Sequence, residues 1–206
     1  DQSQELIEIV KFNKTFNAVN FVYASAPAAD AAKDYISSGE IGDPVGVEIS
    51  LTFSCWPRKW QADATWLGES AEGGFMREVG SHFLYLSYRL LGIPKWVATP
   101  LISRPSPKSA ETLFQGICTI DDIPISINGF VGGKLNDIIE WRLRGTRNSL
   151  RINNWYSLER QGNVDWDPLL TGDQSLPQTA YMAQLDRLAD QLNKGELLLP
   201  DFYDAF

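Results

Sequence analysis

Histidine is almost absent from this sequence: His82 is the only one in 206 residues. A zinc site built on several imidazoles is therefore excluded, the His-Glu-x-x-His pattern cannot occur, and Cys55 and Cys118 stand too far apart to make up the deficit. No metal site is expected. A Ser-His-Asp triad would have to use His82, yet the chain has no Gly-x-Ser-x-Gly elbow, and Ser81 is its immediate neighbour and points elsewhere. Cysteine is nearly as scarce. Each of the two lies in an apolar, strand-like stretch, so the sequence predicts two buried thiols and a reducing, cytoplasmic setting.

Two nucleotide-binding devices are missing as well. No two of the 16 glycines are separated by a single residue, so Gly-x-Gly-x-x-Gly does not occur. Gly133-Lys134 fails as a phosphate loop, because Asn128 stands where its first glycine belongs and Leu135 where Ser or Thr belongs. Cations are in deficit, 18 Lys and Arg against 26 Asp and Glu for a net charge of −8, and none of them cluster. Nucleic acid and anionic membrane are thus poor partners. No run of about 18 apolar residues occurs, and the opening DQSQELIEIVK has neither the basic start nor the apolar core of a signal peptide.

What is present is an ordinary globular composition, 44% hydrophobic and 12% aromatic, enough for a sizeable core. Leu6, Ile7, Ile9 and Val10 predict a short helix, and AVNFVYAS after it reads as a strand. This single αβ unit, residues 1–26, is the expected remnant of a truncated α/β domain, with a second domain over 27–206. Pro27 opens a helix that Gly39 stops, and VGVEISLTFSC is strand-like. A Trp-rich loop then leads to a helix over 74–91, closed by Gly92 and Pro94. From Lys95 to Gly162 strand runs alternate with short turns, as in an antiparallel meander. A last helix over 177–193 places Leu185, Leu188, Ala189 and Leu192 on one face. The expected fold is α+β: an open, mostly antiparallel sheet with helices on one face. Strands such as DIIEWRL are apolar at both parities, which predicts that the other face is buried in a homodimer or homotetramer.

The helix GGFMREVGSHFLYLSYRLLG carries the candidate chemistry. Phe75, Val79, Phe83, Leu86 and Leu90 form a core stripe, while Glu78, His82, Tyr85 and Arg89 line another face. Glu78 and His82, at i and i+4, can touch, and a carboxylate beside the imidazole would lift its pKa and fit the pair for acid–base work on a hydroxyl or carbonyl. A solvated helix face with an incidental pair is the competing reading. The preceding loop offers Trp56, Arg58, Lys59, Trp60 and Trp66, aromatic and cationic groups suited to sugar or polyol faces, though ordinary core packing would also use them. Trp60, Trp66, Arg77 and Lys59 are the candidate substrate-binding residues.

Three segments, AAKDYISSGEIGDPVGVEI, GGFMREVGSHFLYLSYRLLG and AQLDRLADQLNKGELLLPDF, together resemble the glucose-fructose oxidoreductase, inositol dehydrogenase and rhizopine-catabolism (Gfo/Idh/MocA) family. The resemblance implies an N-terminal Rossmann domain binding NAD or NADP, mostly outside this chain, and a C-terminal α+β domain that binds substrate and assembles oligomers. It implies that His82 is the acid/base for hydride transfer on a sugar, polyol or related small molecule, assisted by Glu78 and by a lysine of the Rossmann half. Two departures stand out. Ala24 occupies the place of an arginine frequent in the family, and Glu78 stands where Asp is common. A non-catalytic cofactor- or sugar-sensing regulator, or a pure oligomerisation module of the same fold, would use the same framework.

Overall fold

Alternation of apolar and polar residues along the strands dictates a sheet with one buried face, and a computed structural model, which describes residues 2–134 and 136–205, has that form. The strands are β1 (Pro44–Phe53), β2 (Lys95–Trp96), β3 (Leu101–Ser103), β4 (Leu113–Ile120), β5 (Ile123–Val131), β6 (Ile138–Gly145), β7 (Ser149–Asn153), β8 (Ser157–Gln161) and β9 (Trp166–Pro168). They form one open sheet in the order β2-β4-β5-β1-β6-β7-β8-β9, with β3 also paired to β4. Only β1 and β5 run parallel; every other pair is antiparallel. The long connection from β1 to β4, which crosses one face of the sheet, carries the candidate helix.

Among the described residues four α-helices complete the fold: α1 (Gln2–Asn13), α2 (Pro27–Ser37), α3 (Ser81–Leu91), entered through a π-turn at Met76–Gly80, and α4 (Pro177–Lys194). Pro27 and Pro177 sit in the first turns of α2 and α4, where a missing N–H costs nothing. Gly195, at φ 71°, closes α4 by donating to the Gln191 carbonyl. The core lies between the sheet and the layer of α2 and α3. Val47, Ile49, Leu51 and Phe53 of β1 face inward beside Ile125, Ile127, Trp141 and Leu143 of its neighbours, and Phe83 and Leu86 of α3 close over them. The Trp141 indole N–H donates to Ser87 Oγ at 2.9 Å, and that hydroxyl donates to the Phe83 carbonyl, so the central polar atoms of the core are satisfied.

Four expectations are corrected. AVNFVYAS is not a strand: it forms an extended approach and a single 3-10 turn at Val22–Ala24. A strand needs a neighbour, and among the described residues none pairs with it; Val19 donates to the Pro200 carbonyl instead, while Val22, Tyr23 and Ala24 bury their side chains. The open face of the sheet is not apolar throughout. In β6 Ile139, Trp141 and Leu143 point inward, whereas Glu140, Arg142 and Arg144 point outward into an ion-pair ladder with Glu48, Arg151 and Glu159. The exposed apolar side chains of that face are few: Phe130 and Ile138 flank Thr52, and Ile117 stands apart opposite Ser126. On α4, Leu185 and Leu192 are exposed, and Ala180 and Gln191 are the buried residues, because Arg187 is drawn inward to Asp30. Finally, Cys118 is buried, its thiol pushed up to about 11 by burial, but Cys55 is only partly covered.

Replacing Ser87 with Ala would leave the Trp141 N–H buried and unpaired. The variant should lose about 1–3 kcal/mol of unfolding free energy in urea titrations. A loss indistinguishable from zero would show that the bond contributes nothing net.

Candidate active site

The site is organised by the way α3 begins. Gly74 has φ 105°, and a Cβ there would lie 2.3 Å from the Glu111 carboxylate; at Gly73 a Cβ would lie 2.3 Å from the Leu67 carbonyl. Only glycine lets the chain pass this close. Glu111, itself buried, uses the space to accept the Met76 N–H at 2.8 Å, which caps the helix start with a carboxylate. The π-turn follows, with the Ser81 N–H bonded to the Met76 carbonyl five residues back.

That extra residue changes which side chains meet. The expected Glu78–His82 pair is not made. Glu78 accepts from Gln61 Nε2 at 3.1 Å, and Gln61 Oε1 accepts from Arg58 Nε at 2.8 Å. His82 turns instead into an aromatic setting, with Phe21 edge-on at 5.7 Å and Trp155 edge-on at 5.6 Å between ring centroids. Its Nδ1 is buried with no hydrogen-bond partner among the described residues, which leaves Nε2 as the nitrogen that can meet a ligand. The expected rise in imidazole pKa is overturned with the pair: burial pushes His82 down to about 4, and no neighbouring charge opposes it. The imidazole is neutral at physiological pH.

Among the four candidate substrate-binding residues, Arg77 has a structural use, donating to the carbonyls of Ala71 and Gly73 and so fixing the glycine turn. Lys59, Trp60 and Trp66 are exposed on the same loop. Trp60 lies under the Arg58 guanidinium at 4.7 Å, and none of the four shares a hydrogen bond or ring contact with His82. Sequence reasoning missed Phe21, Trp155, Gln61 and Glu111, each brought in from a distant part of the chain. It also missed the clamp on Asp30, which pairs with Arg89 at 2.6 Å and Arg187 at 2.8 Å. Those two guanidiniums also donate to the carbonyls of Tyr23 and Ala24, holding the segment that presents Phe21. Beside it opens a cleft of about 360 Å³ bordered by Phe21, Ser81, Tyr85, Trp96 and Tyr203.

The start of this helix does not fit the phosphates of a dinucleotide. The helix start after Gly73-Gly74 is where a phosphate would be sought, but Glu111 already occupies its N–H and would repel an anion. Among the described residues no helix is long and apolar enough to cross a membrane.

The low pKa of His82 has a thermodynamic consequence. Between about 4 and the 6.5 of a free imidazole the unfolded chain binds the proton more readily than the folded one, so stability falls as pH drops through that window. The full effect is roughly 3 kcal/mol. Carboxylates titrate over part of the same range, so the measurement is a comparison: His82→Gln should lose about that much less stability than the parent between pH 7 and 4. Equal losses in urea titrations would contradict the burial of the imidazole.

Residues 29–151 match the GFO/IDH/MocA C-terminal domain family. A search among curated proteins found no match. Among solved structures, the chain is similar to a levoglucosan dehydrogenase in complex with NADH and levoglucosan, with TM-score 0.78 and 17% identity over 98% of this chain and 64% of that one. It is similar to KijD10, a 3-ketoreductase from Actinomadura kijaniata in complex with NADP and TDP-benzene, with TM-score 0.76 and 15% identity over 99% of this chain and 62% of that one. An oxidoreductase from Agrobacterium radiobacter in complex with NAD+, L-tartaric acid and magnesium gives TM-score 0.72 and 17% identity over 98% and 62%. The chain therefore spans less than two thirds of the length of these proteins, and at such identities the likeness is one of fold. The family match covers more than half of the chain and includes the glycine turn, the π-turn and His82; the chain belongs to the GFO/IDH/MocA family, as its C-terminal domain.

Proposed function

We propose that this chain is the substrate-side domain of an NAD(P)-dependent oxidoreductase acting on a sugar, polyol or related hydroxy compound, with the nicotinamide held mainly by sequence outside it. The observation that carries the reading is the lone imidazole at the end of the π-turn, fixed between two aromatic rings with one nitrogen buried and the other open. π-turns of this kind gather at functional sites. Structures similar to this one were solved with NADH, NADP and NAD+, which supports the cofactor class.

The step assigned to this chain is the proton's. A neutral imidazole accepts a hydrogen bond from a carbinol hydroxyl at Nε2 and takes its proton as the carbonyl forms, and the same group returns it in the reverse direction. A nicotinamide held by sequence outside this chain would accept the hydride as the carbinol is oxidised and give it back in the reverse direction. Glu78 braces the preceding loop through Gln61 and Arg58 and is not bonded to the imidazole. Lys59, Trp60 and Trp66 shape the rim on which a sugar face would rest.

A second reading, a non-catalytic sensor of the same fold, is favoured by one observation: the imidazole lacks the anionic neighbour that would stabilise its protonated form. The complete two-domain protein, assayed for NAD(P)H formation over a sugar and polyol panel, separates the two. His82→Asn should lower kcat by roughly two to four orders of magnitude with nicotinamide affinity unchanged. Glu78→Gln should cost less and leave the pH–rate profile in place. Near-native turnover in His82→Asn would remove His82 from the reaction, and no turnover on any panel member in the parent would favour the sensor.

We also propose self-association through the open sheet face, centred on Phe130 and Ile138, the exposed apolar side chains that flank Thr52. Light scattering at micromolar concentration should give at least twice the 23.1 kDa chain mass, and Phe130→Asp should return the monomer. A monomeric parent would end this part of the reading.

A further inference from the structure

Trp155 occupies a backbone conformation to which its side chain is poorly suited. It lies with Asn154 and Tyr156 in the three-residue turn between β7 and β8, and Asn154 and Trp155 stand at φ 47° and 74°. Asparagine tolerates the left-handed region, but a bulky residue there is a true outlier, and glycine would take the position without steric cost. The turn itself gives no reason for a tryptophan. Outliers of this sort persist where the surroundings over-determine them, and they gather at functional sites.

The surroundings here are specific. The Trp155 carbonyl accepts the hydroxyl proton of Tyr23, a fully buried residue, at 2.9 Å. Its ring packs at 5.5 Å from Phe83 and 6.4 Å from Tyr23, and presents itself edge-on to His82 at 5.6 Å. On another side the same imidazole meets Phe21, edge-on at 5.7 Å, and Phe21 stacks on Tyr85 at 4.5 Å. The strained turn thus spends its strain on placing one ring against the only histidine in the chain.

We propose that Trp155 is a positioning residue for His82: with Phe21 it clamps the imidazole plane and shuts water away from Nδ1, so that Nε2 alone meets the substrate. The functional meaning rests on the reading of His82 as proton acceptor; the clamp itself does not. The titratable groups on the elements around the imidazole leave this desolvation unopposed. Tyr23, Tyr85 and Tyr156 are pushed further up by burial and stay neutral, Glu78 is bonded to Gln61, and Arg89 and Arg187 both pair with Asp30.

A single histidine makes the test direct, since NMR titration of the imidazole in this chain has one signal to follow. In the parent, His82 should titrate near 4. Trp155→Gly, which suits the left-handed backbone and keeps the carbonyl for Tyr23, should move the midpoint up toward the ordinary 6.5, and Trp155→Phe should restore a low value. Circular dichroism reports whether each variant is folded. Should Trp155→Gly fail to fold, Phe21→Ala tests the other jaw of the clamp by the same signal. A folded variant whose His82 titrates as in the parent would overturn the proposal, as would a Phe replacement that does not restore the midpoint. Turnover of the two-domain protein separates this from the functional reading: if His82→Asn stays active while Trp155→Gly shifts the titration, the catalytic role fails and the clamp stands.

Discussion

Everything in this domain depends on covering one face of an open sheet with one thin layer of helix. The inward row from β4 to β8 is almost wholly aliphatic and aromatic, and α3 must lie close enough to exclude water from it. Close approach is secured at two points. Gly129 gives up its side chain so that the Phe75 ring can sit on β5, where a Cβ would come within 2.2 Å. Ser87 gives the buried Trp141 a hydroxyl partner on the helix itself. With α3 pinned at its start and its middle, the direction of every side chain between them is fixed, and His82 lies there.

The π-turn is where the packing requirement and the chemistry diverge from a regular helix. In an unbroken α-helix Glu78 and His82 would be stacked neighbours, and the imidazole would be held near its charged form. The wider turn lets the carboxylate serve the Gln61–Arg58 chain in the loop and sends the imidazole toward Phe21 and Trp155. Burial then acts unopposed. A site that a regular helix would have made ionic is hydrophobic around its one titratable group, which couples the proton affinity of His82 to how completely the rings close on it.

Local patterns were legible in the sequence where period and neighbour agreed. The core stripe from Phe75 to Leu86, the proline starts of α2 and α4 and the glycine that stops α4 follow from spacing and backbone stereochemistry alone. What spacing could not supply were the partners. AVNFVYAS has strand composition, but extended structure requires a second strand, and this segment finds side-chain burial and two arginines instead. DIIEWRL is ambiguous by composition, and the ion pairs of Arg142 and Arg144 with Glu48 settle which residues face out. Leu185 and Leu192 have helical spacing, yet the Asp30–Arg187 pair rotates a different face of α4 inward. The site was half legible: a lone histidine after a double glycine marks the helix, but Phe21 and Trp155 reach it from positions 61 and 73 residues away in sequence.

The carboxylate of Asp30 links the helices to the segment that carries Phe21. Held by Arg89 of α3 and Arg187 of α4, it joins three helices at one point, and the same guanidiniums take the carbonyls of Tyr23 and Ala24. The segment those carbonyls belong to has no sheet to belong to, so its position is set by these charge-assisted bonds and by the burial of Val22 and Tyr23. Phe21 follows from that position, and so does the Tyr23 hydroxyl that anchors the Trp155 turn. Both jaws around His82 are therefore referred to one ion cluster. The cluster is partly exposed, with Asp30 at 43% side-chain accessibility, so its contribution to overall stability is modest while its geometric role is large.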